Sequence, residues 1–391
     1  MAGERVNSIE MIRRLVGFDT VSARSNMALI DFVRQYLAGH GIRARLVPNP
    51  RGDKANLFAA IGPDAPGGVL LSGHTDVVPV DGQPWSSDPF SVSERDGRLY
   101  GRGTADMKSF IAVALSLAPE FKAMALKRPI YFAFSFDEEV GCLGAPLLID
   151  LLGRVLPKPA LAIVGEPTSM RVVNAHKGVR AYTTTIVGRD AHSSAPQLGA
   201  NAILFMGRFI AFLDALAADL KTEGDRAAIP GLEFDPPWTT LGLGLINGGT
   251  ALNIIARECR LGWEFRPLPG ADALAIRARA ERFVADTLLP ELRRAAPEGS
   301  IVIEELCNAP ALRPEAAGAA EALALRLTGS NRTATASFGS EAGQFQGCGI
   351  STVMCGPGDI AQAHQPDEFV ALDQVRQCEV FLRRLADWAA S

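Results

Sequence analysis

Histidine and carboxylate side chains occur in five short segments that lie far apart along the chain. Each segment lies at or just after an expected strand, or in a loop. The segments are Ser72-Gly-His-Thr-Asp76, Gly101-Arg-Gly-Thr-Ala-Asp106, Phe136-Asp-Glu-Glu-Val140, Gly165-Glu-Pro-Thr168 and Gln362-Ala-His-Gln-Pro366. Ligands of open α/β sheets gather outside the carboxyl ends of the strands, so the five segments can meet in one cleft. Each segment alone has an ordinary interpretation as a turn or a solvated surface. Their joint occurrence, with two of only five histidines, indicates a site.

The side chains of these segments have the chemistry of metal ligands. The candidate set is His74, Asp106, Glu139, Glu166 and His364. Imidazole and carboxylate without thiolate suit catalytic zinc, with cobalt or manganese as possible substitutes. Three carboxylates clustered alone would repel one another and raise each other's pKa. Two divalent cations supply four positive charges, which balance three carboxylates and one hydroxide, so the set predicts two metal ions.

Two further acids fit supporting roles. Adjacent residues of an extended chain point to opposite sides, so Glu139 can bind metal while Glu138 faces the reacting water. Asp76 lies two residues after His74, on the same side of an extended segment. Its carboxylate can accept the second N–H of that imidazole, as acids beside zinc-bound histidines commonly do.

Composition excludes several classes of protein. The 391 residues are 48% hydrophobic and 21% charged, which is ordinary for a globular protein of two domains. A net charge of −4 offers no basic surface for nucleic acid. The charged N-terminus does not resemble a signal peptide, and no run of about 18 apolar residues predicts a membrane span. Six cysteines without C-x-x-C spacing are expected to be reduced thiols, so we expect a cytoplasmic protein that binds neither nucleic acid nor membranes.

Helical and strand patterns alternate along the first part of the chain. Apolar residues recur at helical spacing in residues 8–18, 27–40, 107–121 and 143–152. Short apolar runs of strand length occupy residues 56–61, 69–73, 130–136 and 161–164. This alternation is typical of an α/β domain with a mostly parallel sheet.

A different pattern occupies residues 179–309. The expected order there is strand, helix, strand, strand, helix, strand, which is the ferredoxin-like unit. We therefore predict an inserted βαββαβ domain at 179–309. Residues 1–178 and 310–391 would form one discontinuous catalytic domain, because the last segment is too small to fold alone.

The ordered motifs resemble those of the dizinc aminoacylase and carboxypeptidase family over essentially the whole chain. The motifs are His-Thr-Asp, Gly-Arg-Gly-Thr-Ala-Asp-Met-Lys, Asp-Glu-Glu, Gly-Glu-Pro-Thr and Ala-His-Gln-Pro-Asp-Glu. The resemblance implies that Asp106 bridges both metals and that Glu138 is the general base. It assigns His74 and Glu166 to one metal and Glu139 and His364 to the other. It also implies a cis peptide bond after Asp106.

The resemblance extends to the inserted domain, which would be a lid and dimerisation domain. The segment Gly188-Arg-Asp-Ala-His-Ser-Ser-Ala-Pro196 is similar to the family's histidine loop, which implies that His192 reaches the substrate oxygen in the active site of a homodimer partner. Asn253 and Arg266 resemble lid residues that contact substrate, although Arg266 at a strand end can equally be paired structurally. After Asn253 the chain reads Ile-Ile-Ala, where relatives often have proline, so this loop departs from the pattern.

Within the family, residues 337–343 and 355–368 look most like acetylornithine deacetylases. The resemblance implies hydrolysis of N2-acetyl-L-ornithine to L-ornithine and acetate in arginine biosynthesis, with Glu341 as a candidate acid for the ornithine ammonium or, equally, a helix-start carboxylate. The alternatives are a succinyl-diaminopimelate desuccinylase or a broader hydrolase of N-acyl amino acids or peptides. A nicotinamide-dependent oxidoreductase is disfavoured because Gly101-Arg-Gly-Thr is not a G-x-G-x-x-G turn. An inactive scaffold is disfavoured because Glu138 and Glu139 are both present.

Overall fold

The computed structural model describes residues 4–226 and 232–391. Contacts divide the chain into two compact units. The first unit comprises Met1–Ala175, Leu312–Thr335 and Ser340–Ser391, and the second comprises His176–Ala311 and Ala336–Gly339. Among the described residues, no helix combines the length and the apolar character that crossing a membrane requires.

An eight-stranded sheet is the centre of the first unit. Its strands, in sheet order, are β1 (Ala44–Pro48), β2 (Ala55–Ile61), β6 (Ile130–Ser135), β3 (Val69–His74), β7 (Leu161–Val164), β14 (Ser351–Met354), β8 (Val173–His176) and β13 (Ala334–Ala336). The four middle strands β6, β3, β7 and β14 are parallel, and β1, β2 and β8 pair antiparallel to their neighbours. Every residue of β3 and β6 is buried, as the continuous apolar runs of central parallel strands require.

Helices pack around this sheet. They are α1 (Ser8–Val16), α2 (Met27–Gly39), α3 (Lys108–Ala123), α4 (Ala145–Ile149), α8 (Ala319–Thr328), α9 (Ala342–Gly347) and α10 (Leu372–Ala390). Helix α3 packs against α1, α10 and β3 and is buried on nearly all sides, as its mostly apolar middle part requires. The Asn7 side chain accepts the Glu10 N–H at 2.9 Å and caps the start of α1. A small sheet of β4 (Ser93–Arg95), β5 (Arg98–Tyr100) and β15 (Phe369–Ala371) completes the unit.

The second unit is built on a four-stranded antiparallel sheet. The strand order is β10 (Thr240–Gly248), β11 (Glu258–Arg266), β9 (Val179–Val187) and β12 (Ser300–Ala309). The helices are α5 (Ala202–Arg226), α6 (Ala273–Phe283) and α7 (Leu289–Ala295), with one π-helical turn at Val284–Leu288 joining the last two. The chain order is βαββαβ. The predicted fold class, a mostly parallel catalytic sheet with an inserted ferredoxin-like domain, is confirmed.

Several elements were not predicted from the sequence. They are β1, β4, β5, β8, β15 and α9. Most are short, and β4, β5 and β15 are only three residues each, so no periodic apolar pattern can develop in them.

Candidate active site

The candidate ligands gather at the carboxyl ends of the parallel strands. His74 is the last residue of β3, Glu138 and Glu139 follow β6, and Glu166 follows β7 after one glycine. Gly165 is required there because a Cβ at this position would lie 2.0 Å from the Phe110 ring. Asp106 lies in the turn that leads into α3. The shared sheet edge therefore brings segments from most of the first unit into one place.

Four of the five predicted ligands contact one another directly. His74 Nε2 lies 3.0 Å from Asp106 Oδ1, and His364 Nε2 lies 3.4 Å from Asp106 Oδ2. His364 Nε2 is also 3.0 Å from Glu139 Oε2. One ligand atom each from His74, Asp106 and Glu139 falls within a 4.8 Å cluster. The Asp106 carboxylate therefore stands between the two imidazoles, with one oxygen facing each.

Glu166, the fifth candidate ligand, lies close enough to Asp106 and His74 for their charges to affect its pKa. The residue is 3% exposed, and its Oε1 atom has no hydrogen-bond partner among the described residues. Burial, and then repulsion from Asp106 and Glu138, raises the pKa of Glu166 well above its ordinary value. A buried carboxylate oxygen without a donor is costly unless a cation binds it.

The pKa values of the neighbouring acids Glu138 and Glu139 are raised for the same reasons. Burial raises the pKa of Glu138 to about 8 and that of Glu139 to about 7, and the neighbouring carboxylates contribute to both shifts. Hydrogen bonds to Asp106 and Glu139 raise the pKa of His364 to about 10. The structure thus groups several carboxyl side chains without pairing them, among the described residues, with a lysine or arginine. The donor set and the unpartnered Glu166 oxygen fit divalent cations.

Asp76 has a different contact from the one that the sequence suggested. His74 Nδ1 donates to the main-chain carbonyl of Asp76 at 2.9 Å, whereas the nearer carboxylate oxygen is 3.8 Å away. The carboxylate instead accepts the N–H groups of Glu138 at 3.1 Å and Glu139 at 3.3 Å. The Ser22 hydroxyl also donates to it at 2.6 Å. Asp76 therefore orients the His74 ring through its backbone and the two glutamates through its side chain.

Glu138 and Glu139 lie in a turn after β6, not in the extended chain that the prediction assumed. Their carboxylates nevertheless reach different partners. Glu139 contacts His364, while Glu138 Oε1 accepts a hydrogen bond from the Cys142 thiol at 3.2 Å. Cys142 and Ser22 were not recognised as neighbours of the site, since a lone thiol or hydroxyl carries no pattern in the sequence.

Two backbone features occur at the ligands. The Asp106–Met107 peptide bond is cis, as the family resemblance implied. His364 has a φ of 63°, a left-handed conformation that non-glycine residues adopt only when their surroundings hold them there.

In the second unit, the histidine loop lies beside the Asn253 loop. His192 forms a β-bridge with Ile254, and the Ser193 N–H donates to the Asn253 carbonyl at 3.0 Å. His192 and Asn253 are both exposed. The Ser194 N–H donates to His192 Nδ1 at 3.2 Å, so the neutral ring carries its proton on Nε2. His192 is thereby prepared to donate a hydrogen bond.

The remaining predicted substrate contacts stay predictions. Arg266 forms an ion pair with Glu264 at 3.0 Å on a half-exposed strand end. Glu341 is 1% exposed, and its Oε2 lies 3.4 Å from the Ser72 hydroxyl. Burial raises the pKa of Glu341 to about 7.

The sequence is similar to a family of known proteins over most of its length. The model of peptidase family M20/M25/M40 matches residues 70–388. An acetylornithine deacetylase of Proteus mirabilis is 36% identical over 371 residues, which cover 93% of this chain and 91% of that protein.

Solved structures of lower sequence identity have the same fold as this chain. An M20 family metallo-carboxypeptidase of Sulfolobus solfataricus aligns with a TM-score of 0.76 at 16% identity, over 98% of this chain and 99% of that one. A dinuclear metal binding peptidase of the M20 family from Bacillus subtilis aligns with a TM-score of 0.63 at 17% identity, over 97% and 96% of the two chains.

Proposed function

This chain belongs to peptidase family M20/M25/M40, and on that premise we propose that it is a two-zinc deacetylase of N2-acetyl-L-ornithine, which it converts to L-ornithine and acetate in arginine biosynthesis. The chain is a metal-dependent amidohydrolase. Full-length similarity to a relative with the name acetylornithine deacetylase supports the choice of substrate. The contact of Asp106 with both His74 and His364 is the observation that carries the proposal.

The ligand set supports two ions of the same kind. His74 and Glu166 would hold one ion, Glu139 and His364 the other, and Asp106 would contact both. Nitrogen and carboxylate donors without thiolate favour zinc at a catalytic site. When bound, the pair of cations would lower the pKa of water at the site and polarise the acyl carbonyl.

Glu138 is the proton carrier in this proposal. Its carboxylate does not contact His364 as that of Glu139 does, and accepts a hydrogen bond from the Cys142 thiol instead. Glu138 takes the proton of the attacking water and later gives it to the leaving amine. One carboxylate can perform both transfers because hydrolysis of an amide consumes the same proton that it releases.

Homodimerisation through the second unit is part of the proposal. Strand β10 lies at the edge of its sheet, and Leu243, Leu245 and Ile246 on it are 42%, 79% and 59% exposed. Exposed apolar edge strands are templates for pairing with another chain. We propose that a second copy covers this edge and that its His192 donates from Nε2 to the substrate oxygen.

We predict that His192→Ala lowers kcat by about 10²–10³-fold, the usual effect of removing one donor to a developing oxyanion, with metal content unchanged. Mixing the His192→Ala chain with a Glu138→Gln chain gives hybrid dimers in which one site keeps both residues. The measurement is turnover before and after mixing, with each variant alone as control. No recovery in mixtures that do exchange subunits would refute a partner-supplied histidine.

Steady-state kinetics with three candidate substrates tests the substrate assignment. We predict that kcat/KM for N2-acetyl-L-ornithine exceeds that for N-succinyl-diaminopimelate and N-acetylmethionine by at least about 10²-fold, because a site built to bind a polar group rejects substrates without it by that factor or more. A higher value for either competitor would reassign the substrate while leaving the hydrolase chemistry intact.

A further inference from the structure

A buried ion pair next to the candidate ligands has no part in the chemistry described so far. Arg102 Nη1 donates to Glu368 Oε2 at 2.6 Å, and both side chains are 1% exposed. Both residues belong to the first unit, and they come from segments that are more than 260 residues apart in the sequence. Arg102 precedes the Asp106 turn, and Glu368 follows the His364 loop.

Glu368 binds the backbone of the Asp106 turn with its other oxygen. Oε1 accepts the N–H groups of Ala105 at 2.8 Å and Asp106 at 3.0 Å. Both donors belong to the segment that presents the carboxylate between the two imidazoles. The position of Asp106 therefore depends on where Glu368 is held.

Arg102 binds the second ligand loop. Its Nη1 also donates to the Gln365 carbonyl at 3.3 Å, and its Nη2 donates to Gln83 Oε1 at 2.6 Å. The Gln83 amide in turn donates from Nε2 to the His364 carbonyl at 2.9 Å. The left-handed backbone of His364 is therefore held by hydrogen bonds to its own carbonyl and to the next one.

Fold stability alone is a weak explanation for this arrangement. Burying two charges carries a desolvation penalty that their attraction often only offsets, and an apolar pair of similar volume is often as stable. Arg102 Nε has no partner among the described residues, which adds to the cost. What the charged pair supplies and an apolar pair would not is a set of directed hydrogen bonds to the Asp106 and His364 segments.

We propose that Gln83, Arg102 and Glu368, here called the Arg102 network, are positioning residues that set the distance between the Asp106 carboxylate and the His364 imidazole and so the retention of the metal ions. The proposal rests on the two-metal site of the proposed function. Among the described residues, the hydrogen bonds of the network to the ligand segments go to their backbone and not to ligand side chains, so its expected action is to hold these segments in place.

Two variants separate the parts of the network. In Glu368→Gln the retained Oε1 still accepts both N–H groups, but an amide NH₂ replaces the oxygen that faces the Arg102 guanidinium. We expect both metal ions to dissociate about 10–100-fold faster, as when partners outside the ligand shell are lost. In Gln83→Met, at a half-buried position, the His364 carbonyl loses its donor, and Arg102 Nη2 and Trp85 Nε1 lose an acceptor. The bonds from Glu368 to the Asp106 turn remain, so we expect the ion at His364 to dissociate faster and the other ion to be retained.

The test is the rate of metal release to a coloured chelator from the zinc-loaded full-length chain, together with the visible absorption spectrum of the cobalt-loaded chain. Glu120→Gln, in an exposed pair with Arg383, is the matched control and is expected to behave as wild type. Position 83 is half-buried, so the Gln83→Met chain is expected to fold. If this variant released metal at the wild-type rate and gave the wild-type cobalt spectrum, the proposal would be overturned. Wild-type protein that retains no pair of metal ions would instead refute the proposed function, so the two failures are distinguishable.

Discussion

Glu138→Gln is expected to lower kcat by about 10³-fold while the chain still binds two metal ions. Glutamine keeps the shape of the side chain but cannot take a proton from water. Because Glu139 and not Glu138 contacts His364, the metal ligands are untouched by the change. Turnover of N2-acetyl-L-ornithine and metal content of the same preparation are the two measurements.

The neighbouring residue Glu139 supplies the control for this variant. Glu139→Gln is expected to reduce metal content as well as activity, since its carboxylate lies 3.0 Å from His364 Nε2. The acid side of the pH–rate profile provides a second readout, because a base acts only when ionised and activity falls as the pH drops through its pKa. Activity within tenfold of wild type in Glu138→Gln would show that another group moves the proton.

Asp106→Asn is expected to lower both the metal content and the activity of the protein. Its carboxylate faces His74 at 3.0 Å and His364 at 3.4 Å, and no other side chain contacts both imidazoles among the described residues. An amide offers one weak oxygen ligand and no charge, so the two cations of the proposed site would lose the anion that Asp106 supplies to both. Because metal ions supply several kcal/mol of transition-state stabilisation, kcat should fall by about 10⁴-fold.

Metal analysis after gel filtration distinguishes this outcome from simple unfolding. Asp106→Asn should elute as a folded protein with fewer than one ion per chain. Asp373→Asn, on an exposed part of α10, should keep both its metal and its activity. Two tightly held ions in the Asp106 variant would exclude this residue as the shared ligand.

The sequence was sufficient to predict the fold because its signals are strong and local. The central strands β3 and β6 are buried on every residue, so their apolar runs stand out, and the parallel arrangement places His74, Glu139 and Glu166 at one edge. The order of elements in residues 179–309 alone specified a βαββαβ unit. Three-residue strands such as β4 and β5 were missed because so few residues carry no periodic signal.

The contacts around the ligands could not be predicted in the same way. Asp76 was expected to hold His74 with its carboxylate, yet the carbonyl does so, because the carboxylate is engaged by the turn that carries Glu138. The Arg102–Glu368 pair joins segments that only the folded sheet brings together. Such contacts depend on the path of turns at the strand ends, which spacing along the chain does not determine.

The central claim is that His74, Asp106, Glu139, Glu166 and His364 hold a pair of cations. The most direct measurement is anomalous diffraction at the zinc absorption edge from crystals of protein purified without chelators. We predict two anomalous peaks about 3.5–4 Å apart, the usual separation in two-metal sites, with the Asp106 carboxylate between them. A single peak, or peaks that Asp106 does not touch, would contradict the account.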